Sequence, residues 1–344
     1  EGEEYLVLHE FVKKAKEKLP KETWDYLIGA SETETTFKRN RFALDNIAFR
    51  PRVLRDVENV DLSVNLFGHN LKMPVILAPI GSMQDFVDGA GIAPTLAASE
   101  FGVMHMMSST CMPGLVEVAK SVNYPKLFQL YVRGDKNWVD DNIKSAMDHN
   151  YAGICLTVDL DAYGRRERDL AKRYRTTSRQ SASGFEYQMR FSWKDIDRIK
   201  SYCNLPIIIK GIATKEDALL AIDHGVEFIY VSNHGGRQLD YGLGGLNVLP
   251  EIVDAIGNNA KVIFDGGIMR GTDVVKAIAL GADCVGIGRL QGFAAAAGGS
   301  KAIVRMLELL EIEILTTLRL LGVNSFSQLD KSYLTKDSSF GSLN

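Results

Sequence analysis

Cysteine is scarce in this chain of 344 residues: Cys111, Cys155, Cys203 and Cys284 are all there is, with no C-x-x-C pair among them. That argues against a disulfide framework and against a zinc site built on paired thiolates, and it suits a reducing compartment, the cytoplasm. Net charge is small too, -3 at pH 7. No broad basic face attracts nucleic acid, although a local site for a small anion stays open. No apolar run approaches the roughly 20 residues of a membrane span. The richest stretch, GFAAAAGG at 292–299, is short and broken by glycines. The opening EGEEYLVLHEF carries acids where a secretory signal carries bases, and does not read as one. No His, Asp or Glu cluster has metal-ligand spacing, so no metal is expected. No G-x-G-x-x-G follows an early strand pattern, which counts against a dinucleotide fold.

What is present is α/β. With 46% hydrophobic and 24% charged residues, the composition is that of a soluble globular protein. The first 60 or so residues read as helical: LVLHEFVKKAKEKL has apolar residues at helical spacing and ends at Pro20, and KETWDYLIGA and TETTFKRNRFALDNI follow. From Pro74, eight β-rich apolar runs alternate with helical patterns: 74–80, 102–109, 126–132, 153–159, 206–211, 228–234, 261–267 and 284–289. Runs of this kind are parallel strands buried on both faces. The spacing fits a (β/α)8 TIM barrel better than two Rossmann halves. ALLAIDHGVEFIYVS echoes VVKAIALGADCVGIG, with Gly225 and Gly281 at the helix ends. One interval breaks the rhythm, a long polar loop after the fourth strand. The expectation is one domain over 1–344, with a helical extension at 1–65, the barrel at 66–325 and a C-terminal tail at 326–344.

In such a barrel, chemistry sits at the C-terminal ends of the strands. Read in order, those ends hold Pro79-Ile80-Gly81, Ser108, Gln129 with Tyr131, Thr157 with Asp159, Lys210, Ser232 with His234, Asp265-Gly266-Gly267 and Gly288-Arg289. The last two ends offer backbone N–H groups and an arginine where barrels hold phosphate, or else glycine turns that close the barrel. Lys210 reads as a Schiff-base lysine, a charge partner for a cofactor or a surface residue, with its position favouring the site. Gln129 and Thr157 suit the amide-like edge of a flat heterocycle. Of six histidines, His234 alone stands at a strand end beside glycines, in SNHGGRQLD. Asp159 is placed to orient and charge-stabilise such a base. Arg166 and Arg237 are forked donors for a carboxylate.

SNHGGRQLD, LTVD-x5-RRERD, LFQLYV, IIIKG and DGGIMRGTDV together resemble the FMN-dependent α-hydroxy-acid oxidase and dehydrogenase family, from DYLIGASETE at 25–34 to the last barrel helix. The resemblance implies an FMN cofactor and roles for matching positions. His234 is implied as the base, Asp159 as its acidic partner, Arg166 and Arg237 as carboxylate holders, and Tyr131 and Tyr26 as tyrosines near the substrate. Lys210 is implied at the N1 edge of the flavin. Ser108, Gln129, Thr157 and Ser232 are ring contacts, and Pro79, Ile80 and Gly81 the backbone under the ring. Asp265, Gly267, Gly288 and Arg289 fall at the ribityl and phosphate end. The implied assembly is a homotetramer.

This chain departs from the family pattern in places. Met269 stands where a phosphate-side arginine is expected, which leaves either weaker FMN binding or compensation by Arg270. Thr110 replaces a tryptophan of the glycolate oxidases and opens the pocket to bulkier substrates. Tyr163 replaces an aliphatic residue and is placed to stack on an aromatic substrate. Gly81, often alanine, leaves oxygen reactivity open. The loop after strand four lacks a membrane insertion. The leading expectation is a cytoplasmic enzyme that oxidises an L-2-hydroxy acid larger than glycolate, lactate- or mandelate-like, with O2 as acceptor and H2O2 as product. Alternatives are a quinone or protein acceptor, a barrel isomerase acting on a phosphorylated substrate, and a binding protein on a degenerate barrel.

Overall fold

The computed structural model describes residues 5–180, 183–184 and 186–336. Eight parallel strands close into a barrel: β1 (Val75–Leu77), β2 (Met104–Ser108), β3 (Leu127–Leu130), β4 (Ile154–Thr157), β5 (Ile207–Ile212), β6 (Phe228–Val231), β7 (Lys261–Phe264) and β8 (Cys284–Ile287). The (β/α)8 expectation holds, with every strand inside its predicted run or one residue beyond it. Nearly all strand residues are buried, because one face fills the barrel and the other lies under helices. The echoed glycines do what their position requires. Gly225 and Gly281 take positive φ, +67° and +103°, one residue past the caps of the helices Lys215–Asp223 and Gly271–Ala279.

All the barrel strands except β5 stop short of the C-terminal ends of their apolar runs. β6 stops at Val231, and the chain then enters a tight turn at His234–Gly236. β7 stops at Phe264, before Gly266 and Gly267 at φ +120° and +82°. The polar residues at those ends therefore leave the sheet and turn over the barrel mouth. The opposite mouth is closed by a small hairpin, Val64–Leu66 with His69–Leu71, which sequence patterning does not reveal. Leu66 and Leu71 join the inner barrel cluster, and Phe67 stacks on Phe228 with ring centroids 4.1 Å apart. The interior is thus a packed core with one accessible end.

The N-terminal extension is helical over α1 (His9–Lys18), α2 (Lys21–Ile28) and α3 (Thr35–Asp45), and no further. Ile47–Phe49 instead pairs antiparallel with Leu334–Lys336, so the last described residues of the C-terminal tail belong to a two-stranded sheet. α3 is tied over the barrel mouth by the stretch that follows β6. Asp240 accepts from Thr36 N at 2.8 Å and from the Thr33 hydroxyl at 2.7 Å. Gly236 lies so close that a Cβ there would come within 2.6 Å of Phe37 N. Gly236 therefore serves the packing of α3. In the long interval after β4, Trp193–Lys200 is a helix capped by Ser192 and Asp195. In its earlier part Glu167–Ala171 and Thr177–Gln180 are short helical turns, and Arg166, Thr176, Ser178 and Arg179 line the mouth.

Candidate active site

A cavity of about 780 Å³ opens at the C-terminal ends of the strands, beneath α2 and α3. That is within the usual size range of small-molecule sites. Tyr26, Pro79, Ile80, Gly81, Thr110, Tyr131, Tyr163, Arg166, Lys210, His234, Arg237, Asp265, Gly267, Gly288 and Arg289 line it. Asp159, Ser108, Gln129, Thr157 and Ser232 are not lining residues themselves: Asp159 and Ser232 bond to His234, Ser108 to Thr110, and Gln129 to Thr157.

The reactive group is built on the ends of β3, β4 and β6. His234 Nδ1 lies 3.0 and 3.2 Å from the two oxygens of Asp159. A carboxylate accepts only, so Nδ1 carries the proton and Nε2 presents its lone pair. Burial drives the His234 pKa below its ordinary value, with Lys210 and Arg166 adding to the effect and Asp159 offsetting it only in part. The ring is therefore neutral at neutral pH. Burial would raise the carboxyl of Asp159, but His234 and Lys210 outweigh it and the pKa stays below the usual range. Tyr131 Oη is 3.3 Å from Nε2. Burial pushes its pKa up to about 12, so it keeps its proton and is the donor. The close approach of Asp159 depends on Gly211, at φ +115°, where a Cβ would fall 2.8 Å from that of Asp159. His234 is also held from its backbone, its N–H donating to Ser232 Oγ at 3.1 Å.

That Ser232 hydroxyl links two more groups. Lys210 Nζ donates to it at 3.1 Å, and it donates to Asp265 at 2.5 Å. Burial would discharge Lys210, but Asp265 and Asp159 more than compensate, and its pKa is raised. A permanent cation thus faces the cavity from β5.

Three arginines converge from different elements, two of them, Arg237 and Arg289, on the C-terminal end of α2. Arg237 Nη1 donates to the carbonyls of Tyr26 and Gly29, at 2.7 and 2.8 Å. Arg289 reaches the carbonyls of Leu27, Gly235 and Gly29. Arg166 donates to the carbonyl of Arg237 and to the Tyr163 hydroxyl. The negative end of a helix attracts cations. Burial, then Arg237 and Arg166, lower the Arg289 pKa to about 9. The three buried guanidiniums donate to carbonyls and to the Tyr163 hydroxyl, with Asp169 the nearby carboxyl that offsets part of their charge, and the excess positive charge makes the region attractive to anions.

Two further observations fit a flavin mononucleotide. Gln129 donates from Nε2 to Thr157 at 2.8 Å, yet its Oε1 is buried without a partner. A heterocyclic N–H is the donor such an oxygen lacks. At the other end of the cavity, a Cβ on Gly288 would meet nothing within 4 Å. Gly288 caps the helix that starts at Arg289, leaving room for a phosphate at a helix N-terminus. Arg270 does not compensate for Met269: its side chain pairs with Glu313, while Met269 itself lines the cavity.

Tyr163 lines the cavity, but its ring is not free to stack on a substrate. Guanidinium carbons of Arg166 and Arg179 lie 4.2 and 3.5 Å from its centroid. Sequence reading missed Arg41, Arg133 and Arg179, which also line the cavity. Arg133 follows LFQLYV by one residue and was within reach of the strand-end reading. Arg41 lies on a helix that only the tertiary fold brings to the mouth, where Asp273 and Asp45 hold it. Arg179 sits in the long loop, where no periodicity indicates which arginine turns inward.

The profile of a family described as FMN-dependent dehydrogenase matches residues 15–336. Glycolate oxidase of Spinacia oleracea is 36% identical over 353 residues, covering 96% of this chain and 95% of that protein. A mandelate oxidase structure holding an FMN adduct is 34% identical, with a TM-score of 0.86 and 92% and 96% of the two chains covered. A structure of (S)-mandelate dehydrogenase is 29% identical, with a TM-score of 0.90 and 96% and 99% covered.

Proposed function

The chain belongs to the FMN-dependent dehydrogenase family and its cofactor is FMN; from this we propose that it oxidises an L-2-hydroxy acid to the 2-oxo acid, with O2 as acceptor and H2O2 as product. The observation that carries the reading is the Asp159–His234–Tyr131 arrangement beside the Arg166 and Arg237 guanidiniums. Arg166 and Arg237 bind the substrate carboxylate and set the orientation of the hydroxyl-bearing carbon. Tyr131 and Tyr26 flank the substrate. His234 Nε2 accepts a proton from it, and Asp159 stabilises the imidazolium that results. Lys210 keeps a positive charge at the edge where negative charge develops. FMN, when bound, supplies the two-electron acceptor. Asp265, Gly267, Gly288 and Arg289 hold its ribityl and phosphate end, and Gln129, Thr157, Ser108 and Ser232 support its ring.

The small side chain of Thr110 supports a substrate larger than glycolate, lactate- or mandelate-like. Family resemblance supports a homotetramer, and four unpaired cysteines support a reducing compartment such as the cytoplasm. No helix among the described residues is long and apolar enough to cross a membrane. The likeness to a mandelate dehydrogenase favours a second reading for the acceptor, a quinone or a protein. An isomerase acting on a phosphorylated substrate leaves the Arg166–Arg237 pair without a carboxylate to bind.

The test is anaerobic. Flavin absorbance of the purified protein should bleach on adding (S)-lactate or (S)-mandelate. His234→Ala should retain the flavin spectrum and not bleach. Bleaching at the native rate in that variant would remove His234 as the base. Recovery of colour in air with peroxide formation identifies an oxidase, and recovery only with an added quinone identifies a dehydrogenase.

A further inference from the structure

We propose that Lys38, on the outer rim of the cavity, is a cofactor-binding residue whose ammonium supplies the second cation for the FMN phosphate. The inference rests on the placement of that phosphate at Gly267, Gly288 and Arg289, and adds to it a residue from α3.

Without Lys38, positive charge is short at that end. Met269, in the turn after β7, lines the cavity with an apolar side chain. Arg270 beside it pairs with Glu313. Arg41 lines the cavity too, but all three of its guanidinium nitrogens are engaged. Nε donates to Asp45 at 2.8 Å, and Nη1 and Nη2 donate to Asp273 at 2.7 and 2.8 Å. Two carboxylates on one guanidinium leave a negative balance close to Gly267. Arg289 remains, with its nitrogens already donating to the carbonyls of Leu27, Gly235 and Gly29. A phosphate monoester carries a charge of about -1.5 to -2 at pH 7. It therefore meets one guanidinium and the partial positive charge of a helix N-terminus.

Lys38 is placed to make up the difference. Lys38, Arg41, Phe42 and Asp45 stand at positions i, i+3, i+4 and i+7 of α3, so they share the helix face that lines the cavity. Two contacts fix where that face lies. Arg41 Nη1 donates to the Gly267 carbonyl at 3.1 Å, and the Phe37 ring centroid is 4.6 Å from the guanidinium carbon of Arg289. Lys38 follows Phe37 directly and stands one turn, about 5 Å, from Arg41. Its side chain thus leaves α3 between the Gly267 segment and Arg289, and its flexible four-carbon stem lets the ammonium swing across that gap. Glu34, four residues earlier and the helical partner a lysine would ordinarily take, is held by Arg168, with both oxygens accepting at 2.7 Å. Lys38 Nζ makes one long contact, 3.4 Å, to the Thr33 carbonyl, and forms no ion pair with a carboxylate among the described residues. Because Lys38 is exposed, its pull on the phosphate weakens with salt.

The experiment uses riboflavin as the comparison ligand, since it has the ring and ribityl chain of FMN and lacks the phosphate. Flavin is removed from the purified holoenzyme, and FMN and riboflavin are titrated back by quenching of flavin fluorescence. The proteins compared are native, Lys38→Met, Lys38→Arg and Gly288→Ala. Lys38→Met should bind FMN about tenfold more weakly than native at low ionic strength, the worth of one charge-assisted contact, and riboflavin within about twofold of native. The salt dependence of FMN binding should be shallower in Lys38→Met, and Lys38→Arg should recover most of the loss. FMN affinity within about twofold of native in Lys38→Met overturns the inference. So does an equal loss for FMN and riboflavin, which would make Lys38 a support of α3. Gly288→Ala separates this failure from failure of the phosphate placement. If the preference for FMN over riboflavin drops in Gly288→Ala and not in Lys38→Met, the placement stands and the role of Lys38 falls. A preference unchanged in both variants overturns the placement and this inference with it.

Discussion

Replacing Asp159 by asparagine tests the centre of the mechanism with one atom. The carboxylate accepts from His234 Nδ1 at 3.0 and 3.2 Å, in a buried position. When the imidazole takes a proton, that contact becomes an ion pair. At a charge separation near 4 Å and an effective dielectric near 20, the pair is worth about 4 kcal/mol. Asparagine retains a carbonyl oxygen for the hydrogen bond but contributes no charge, so most of this is lost as the proton moves. About three orders of magnitude in the rate of flavin reduction should follow. Because Asp159 raises the His234 pKa, its removal should also shift the acid limb of the pH profile downward while the plateau falls. The assay is anaerobic stopped-flow reduction over a range of pH, with the flavin spectrum as the control for folding. A reduction rate within about fivefold of native, with FMN bound, would refute the argument that this carboxylate stabilises the imidazolium.

Other consequences can be checked alongside. Arg166→Met should raise KM about 10- to 100-fold and leave the flavin spectrum intact, and an unchanged KM would remove Arg166 from the carboxylate site. In the native enzyme kcat/KM should be full above the His234 pKa and fall only as pH drops through it, so the acid limb should lie below the ordinary histidine value of 6.5. A limb above 6.5 contradicts a neutral buried base. His105 is buried against Thr95, and burial lowers its pKa to about 3. Between that value and 6.5 the unfolded chain binds the proton and the folded chain does not, so stability falls as pH falls, by at most about 1.4 kcal/mol per pH unit. Thermal unfolding of His105→Asn at pH 7 and pH 5 should show a smaller pH dependence than native. Gly288→Ala places a methyl group where the cavity is open, and should purify with less bound FMN, measured by its visible absorbance.

Local sequence was enough to define the barrel. Strands buried on both faces must be continuously apolar, and each βα unit carries its own stop signal, so eight runs and glycines such as Gly225 and Gly281 could be counted without knowing any contact. The polar residues at those strand ends were legible for the same reason: in a closed parallel barrel the C-terminal end of every strand lies at one mouth. Other features depended on distance in the chain. The helical reading of 46–65 failed because Ile47–Phe49 takes its partner from Leu334–Lys336, almost three hundred residues away. The packing role of Gly236 was not legible locally because its close neighbour, Phe37, belongs to α3. Arg270 turned out to be engaged because Glu313, on the last helix, sits beside it. The aromatic slot expected at Tyr163 is taken by Arg166 and Arg179, the latter carried on a turn whose Thr177 and Ser178 bond to Asp85 and Ser82. Sequence by itself determined which residues stand at the strand ends, because that depends on a repeating local period. Tertiary structure alone decided which cations those residues meet, because a guanidinium goes to whichever carbonyl, carboxylate or ring the folded chain brings within a few ångströms.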